Sequence, residues 1–175
     1  IYLGKYELPA TREKYHRLLS EWHANGRRLP VDPNEITIAE LIDHFWIHAK
    51  SYYCRSDGRQ TSTIWNYRTV LGPLNQLYGS SPAVEFGPRA LKAVRQEIIN
   101  RGVCRRVVNQ SVNLIRAVFR WGVSQELIPV ETHTALMTVE ALLRGRSQVQ
   151  DHDPISPVPE SHVEAIRSHV SRQVW

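Results

Sequence analysis

The chain has 175 residues, a sequence pI near 9.5 and a formal net charge of +5, which is long enough for one ordinary domain with appendages. Hydrophobic residues make up 42%, enough for a real core, so the composition excludes a disordered basic tail. No apolar run reaches membrane-spanning length and no signal peptide is evident, so the cytoplasm is the expected location. The charge is unevenly placed. Residues 1–50 hold seven basic and seven acidic groups, residues 51–125 eleven and three, and residues 126–175 four and seven. The positive field therefore belongs to the middle of the chain, as an electrostatic footprint for a polyanion would.

In chain order, hydrophobic spacing predicts six helices. The first runs from about Thr11 to Ala24, with Tyr15, Leu18, Leu19 and Trp22 as its apolar stripe, and stops at Asn25-Gly26. The second has the clearest start: Thr37 as N-cap, Glu40 at N3, and Ile36 with Leu41 as a hydrophobic staple. It continues through Phe45, Trp46 and Ala49 to about Tyr52. A loop around Cys54–Gln60 leads to the third helix, about Ser62 to Tyr78, closed by Gly79. Its stripe is Ile64, Tyr67, Leu71, Leu74 and Leu77, and Gly72-Pro73 inside it predicts a kink.

The fourth helix opens at Gly87-Pro88, buries Leu91, Val94 and Ile98, and closes at Gly102. The fifth spans about Arg105 to Gln125 and the sixth about Val130 to Leu143. Residues 144–159 contain three prolines and no helical period, which reads as a linker with room for one short strand. A new helical pattern with Val163, Ile166 and Val170 begins near Pro159 and is still running at Trp175, so the chain reads as cut in mid-pattern.

The fifth helix carries the main functional signal. The 28 residues between Glu97 and Glu126 contain no acid and five arginines. At helical spacing Arg105, Asn109, Asn113, Arg116 and Arg120 fall within roughly an 80° arc, flanked by Arg106 and Gln110. Val107, Val108, Val112, Leu114, Ile115, Val118 and Phe119 take the opposite side. Solvent-facing helices usually mix glutamate with lysine. A face of arginine and carboxamide instead matches phosphate and base edges, or else pairs with acids elsewhere in the fold. A second basic feature lies at the start of the third helix. Arg59, Thr61, Ser62 and Thr63 crowd an N-terminus suited to a phosphate oxygen, and Trp65, Asn66 and Arg68 extend that surface; plain N-capping is the simpler alternative for Ser62 or Thr63.

Other constellations are weak. His44 and His48 stand at i,i+4, but no third ligand accompanies them and a metal site is not expected. Cys54 and Cys104 belong to no CxxC and read as reduced thiols. No glycine-rich phosphate loop or nucleophilic triad is recognisable, and no cofactor is expected.

Taken together, T-I-A-E-L-I-D-H-F at Thr37–Phe45, T-S-T-I-W-N-Y-R at Thr61–Arg68 and the run from Val108 to Ile128, followed by Pro129, resemble the core-binding domain of the tyrosine recombinase (phage-integrase-type) family. The resemblance covers roughly Ile36 to Leu143. It implies an all-α fold, a four- to five-helix bundle with an N-terminal leader helix over residues 1–30, a DNA-binding domain over 31–143, and over 144–175 a linker and the start of a catalytic domain. In that family the bundle is one half of a clamp around DNA. A separate domain cleaves strands through a 3′-phosphotyrosine, using an arginine, lysine and histidine or arginine set without metal.

None of that catalytic set is matched within this sequence. The H-x-x-R spacing of His169 and Arg172 lies at the wrong end of such a domain and no tyrosine follows it. The chain by itself is therefore not expected to cleave DNA. The expected partners are double-stranded DNA, the chain's own catalytic domain and further recombinase protomers, with no membrane. The expected DNA-binding residues are Arg59, Thr61, Thr63, Asn66, Arg68, Arg105, Arg106, Asn109, Gln110, Asn113, Arg116 and Arg120. A reading of a different class is a helical protein-interaction module whose basic face docks an acidic partner.

Overall fold

The computed structural model describes residues 8–24, 35–147, 149–151 and 156–171. It is an all-α fold. The helices are α1 (Pro9–Ala24), α2 (Ile38–Tyr52), α3 (Ser62–Tyr78), α4 (Pro88–Asn100), α5 (Arg105–Ser124), α6 (Val130–Met137) and α7 (Glu160–Ile166), with short 3-10 turns at Ala83–Glu85 and Arg167–His169. Among the described residues the only β-type pairings are isolated bridges, Thr37 with Pro82 and Cys54 with Gln60.

Helices α2 to α6 share one core. Ile38, Leu41 and Phe45 of α2 meet Ile64, Tyr67 and Leu74 of α3, Leu91 and Val94 of α4, Val108, Ile115 and Phe119 of α5, and Leu136 of α6. The second helix starts as its sequence predicts. The Thr37 backbone N–H donates to Glu40 Oε2 at 2.8 Å, and the Glu40 amide donates to Thr37 Oγ1 at 3.3 Å, a reciprocal capping box. The Thr37 backbone amide, and then its hydroxyl, which also donates to Glu40 Oε2 at 2.7 Å, hold the Glu40 carboxyl below the usual carboxylate range. Ile36 and Leu41, the staple pair, are both buried.

Helix α3 runs unbroken through Pro73, which is buried. Gly72 eases this by removing the Cβ part of the clash that proline imposes on its predecessor, while the amide donor that Pro73 lacks is still missing from the helix. Three apolar assignments in α1, α3 and α5 differ from the sequence pattern: Tyr15, Leu77 and Val107 are exposed, the last two at the edges of their stripes. At Gly122 a Cβ would stand 2.8 Å from Leu41 Cδ1 and 3.3 Å from the Ile128 side chain, so this glycine leaves room for two buried side chains against α5.

Helix α5 ends in a Schellman motif. The Leu127 amide reaches the Gly122 carbonyl at 2.9 Å and the Glu126 amide reaches that of Val123 at 3.0 Å. The residue at the left-handed position is Glu126, φ +57°, where a side chain is strained and glycine is not. Glu126→Gly is therefore expected to stabilise the fold by about 0.5–1 kcal/mol, seen as a higher urea midpoint with unchanged slope. A lower midpoint would mean that the Glu126 side chain contributes more than the strain costs.

The sixth helix is shorter than predicted. It stops at Met137, and residues 139–143 leave helical geometry. The described residues of the linker form no strand. Helix α7 begins at Glu160 as the pattern predicts but ends at Ile166; a 3-10 turn follows at Arg167–His169 and Val170 is extended, so the helix does not run on through Val170 as expected. Residues 172–175, where that pattern was expected to continue, lie outside the described residues, as do parts of the 1–30 leader around α1. Among the described residues no helix is long and apolar enough to cross a membrane.

Candidate nucleic-acid interface

The polar stripe of α5 divides into two groups with different work. The first group turns inward. Asn109 pairs with the backbone of Leu142 as a peptide group would, Nδ2 donating to its carbonyl at 3.0 Å and Oδ1 accepting from its amide at 2.9 Å. Arg116 donates through Nε to the Leu136 carbonyl at 3.1 Å and through Nη2 to that of Val139. Arg105 donates through Nη1 to the same Leu142 carbonyl at 3.2 Å, and its Nε is 2.8 Å from Asp151 Oδ1, with both side chains about three-quarters covered. From α4, Arg95 Nη1 donates to the Glu140 carbonyl at 2.9 Å.

These four side chains explain why α6 ends at Met137. A helix end leaves carbonyls without amide partners and carries partial negative charge, which cations complement. The guanidiniums and the carboxamide take the carbonyls of residues 136, 139, 140 and 142, so the chain can leave the helix without stranding buried acceptors. It then runs antiparallel along α5 until the Gln150 carbonyl accepts from the Arg105 amide at 3.2 Å. Burial, then the neighbouring Arg95 charge, lowers the Arg116 guanidinium from its ordinary value, though an arginine remains charged at neutral pH. Part of the acid-free face is thus acid-free because its partners are backbone carbonyls. Arg95, which the sequence reading did not single out, belongs to this group; a carbonyl partner leaves no mark in sequence.

The second group faces solvent. Arg106, Gln110, Asn113 and Arg120 are exposed and, with Ala117 and Ser124, span roughly an 80° arc opposite the buried side of α5. Asn113 Oδ1 accepts from Arg116 Nη1 at 3.2 Å, which links the two groups. Arg106 and Arg120 make no hydrogen bond or ion pair among the described residues. Arg120 lies between α3 and α6, close enough for its charge to act on Tyr67 and on His133.

The α3 residues sort similarly. Arg59 is 84% exposed, its Nε 3.8 Å from Asp57 Oδ2 in a loose surface pair. Thr61 is the N-cap of α3 with extended backbone but makes no side-chain cap bond, and its Oγ1 is buried without a partner. Thr63 is part-buried and Asn66 exposed. Arg68 lies with Cζ 5.0 Å from the Trp65 ring centre and 5.9 Å from that of Trp46. Tyr67 is in the core, as read from the sequence, and burial followed by a bond with the Tyr53 hydroxyl raises its phenol well above the usual range.

The remaining candidates have structural surroundings. His48 stacks between Tyr52 and Trp121, with ring centres 5.2 and 5.3 Å away. Cys54 and Cys104 are free thiols. Among the described residues no three His, Cys, Asp or Glu side chains gather where they could hold a metal.

His133, on α6 beneath this surface, is held below the usual imidazole value by burial first and then by the charges of Arg120 and Arg116. Its unfolded form takes a proton near 6.5, whereas the folded form resists it. Stability from this residue is therefore complete above that pH and is lost as pH falls toward the lower folded value. Urea midpoints are expected to fall between neutrality and mildly acid pH in the wild type, and less steeply in His133→Gln; equal slopes would remove His133 as the cause.

The chain matches no protein-family model, no curated protein and no solved structure.

Proposed function

We propose that this chain is the DNA-binding half-clamp of a site-specific tyrosine recombinase, holding duplex DNA for strand exchange by a catalytic domain outside this sequence. The observation that carries the reading is the solvent face of α5: Arg106, Gln110, Asn113 and Arg120, without an acid between Glu97 and Glu126. Arginine forks suit phosphates and guanine edges, and carboxamides suit adenine edges or phosphates. A helix packed on a bundle with one such face free can lie along the major groove. Arg59, Asn66 and Arg68 extend the positive surface onto α3, while Thr61 and Thr63 stand at its N-terminus. Arg105, Asn109 and Arg116 support this face from behind, by fixing the segment that packs along α5, and their part in DNA binding is indirect.

The test is a titration of labelled duplex DNA at several salt concentrations, comparing the wild type with Arg106→Ala/Arg120→Ala. Binding that is weak, steep in salt and lost in the double variant supports the reading. No binding at low salt, together with binding to an acidic polypeptide, moves the protein to the class of helical interaction modules.

A further inference from the structure

We infer that Trp65 and Arg68 form a site for an unpaired nucleotide on α3; the inference rests on the nucleic-acid reading proposed for this chain. Arg68 is well prepared as an anion donor. Its guanidinium is stacked near two indoles, 5.0 Å from Trp65 and 5.9 Å from Trp46, yet among the described residues it makes no hydrogen bond and no ion pair. Stacking holds the planar group in place, and its N–H edges stay free, so little side-chain freedom remains to be lost when an anion arrives.

Trp65 supplies the other half. It is 61% exposed, and a large aromatic ring left that open beside a fixed cation is a stacking platform. Gly72 sits one turn beyond Arg68 on the same flank of α3, and a Cβ there would meet nothing within 4 Å, so the platform opens onto free space. On α2, Lys50 lies one turn after Trp46 and Asp43 one turn before it, both exposed; no acid stands on α3 itself.

The combination selects among anions. A carboxylate of an acidic peptide would satisfy Arg68 and leave the indole bare. A duplex would offer a phosphate while keeping its bases stacked on each other. Of these three, an unpaired nucleotide alone brings an anion and an accessible flat ring together, which is how proteins hold single strands. An apparatus that opens and rejoins strands exposes such nucleotides next to the duplex it grips.

The experiment compares a short oligothymidylate, a duplex and polyglutamate, each fluorescently labelled, as ligands for the wild type, Trp65→Ala, Trp65→Phe and Arg106→Ala/Arg120→Ala. Trp65→Ala is expected to weaken oligothymidylate about tenfold and to act several-fold less on the duplex, which does not stack on the indole, with Trp65→Phe recovering most of the loss. The α5 double variant is expected to act mainly on the duplex. Equal oligothymidylate binding by wild type and Trp65→Ala overturns the inference, and polyglutamate binding that depends on Trp65 assigns the site to an acidic peptide instead. Duplex binding without oligothymidylate binding overturns this inference alone. Oligothymidylate binding through Trp65 without any duplex binding overturns the half-clamp and leaves the nucleotide site standing.

Discussion

Replacing Arg106 and Arg120 together with alanine is expected to weaken duplex binding on the order of a hundredfold at about 0.1 M salt, and to reduce the slope of log affinity against log salt by about 1.8. The estimate follows from counterion release, in which each phosphate neutralised contributes about 0.9 to the slope. Both side chains are exposed and form no internal bond among the described residues, so the fold should survive the change, with an unaltered circular dichroism spectrum and urea midpoint. That separates loss of contact from loss of structure. Gln110→Ala and Asn113→Ala carry no charge change and should leave the slope intact. If they weaken some DNA sequences more than others, they touch base edges; if they weaken all alike, they touch backbone. Unchanged affinity in the arginine pair would remove α5 as the DNA face.

The opposite signature is expected at Arg116. Arg116→Ala leaves the carbonyl of Val139 without its donor and removes one of those on Leu136, which keeps the Val139 amide at 3.3 Å, and should destabilise the fold by about 2 kcal/mol, since hydrogen bonds to charged groups contribute about 1.5–3 kcal/mol each and do not add fully. Arg116→Lys should recover less than half, because a single ammonium cannot reach two carbonyls and Asn113 as a planar fork does. Residues 139–151 should loosen first, which trypsin would report as faster cleavage after Arg144 and Arg146. Any loss of DNA affinity in this variant should disappear when binding is compared at equal folded fraction. A wild-type urea midpoint in Arg116→Ala would show that the carbonyl bonds add nothing net. For this reason Arg105 and Arg116, although central to the stripe in sequence, are poor probes of the proposed DNA surface.

Much of the architecture is written locally. The capping box at Thr37 and Glu40, the stop at Gly79 and the proline at the first position of α4 are decided by neighbours within four residues, and α3 spans the predicted residues Ser62 to Tyr78. The buried sides of α2 through α5 follow from the 3.6-residue period, except at stripe edges such as Leu77 and Val107, where a half-turn of uncertainty decides exposure. The absence of acid from α5 is also plain in sequence.

What sequence could not decide is which arginines on that helix are free. Arg105, Asn109 and Arg116 sit within the same arc as Asn113 and Arg120 and are chemically equivalent to them. Only the packing of residues 136–142 against one edge of α5 turns the first three inward, and their partners are mainly main-chain carbonyls, identical at every residue and invisible to any pattern of side chains. The same carbonyl bonds end α6 at Met137, six residues before its apolar period runs out. Sequence determined the helices, their buried faces and a positive middle; tertiary contact alone divided that charge into a part that holds the fold and a part left open to a ligand.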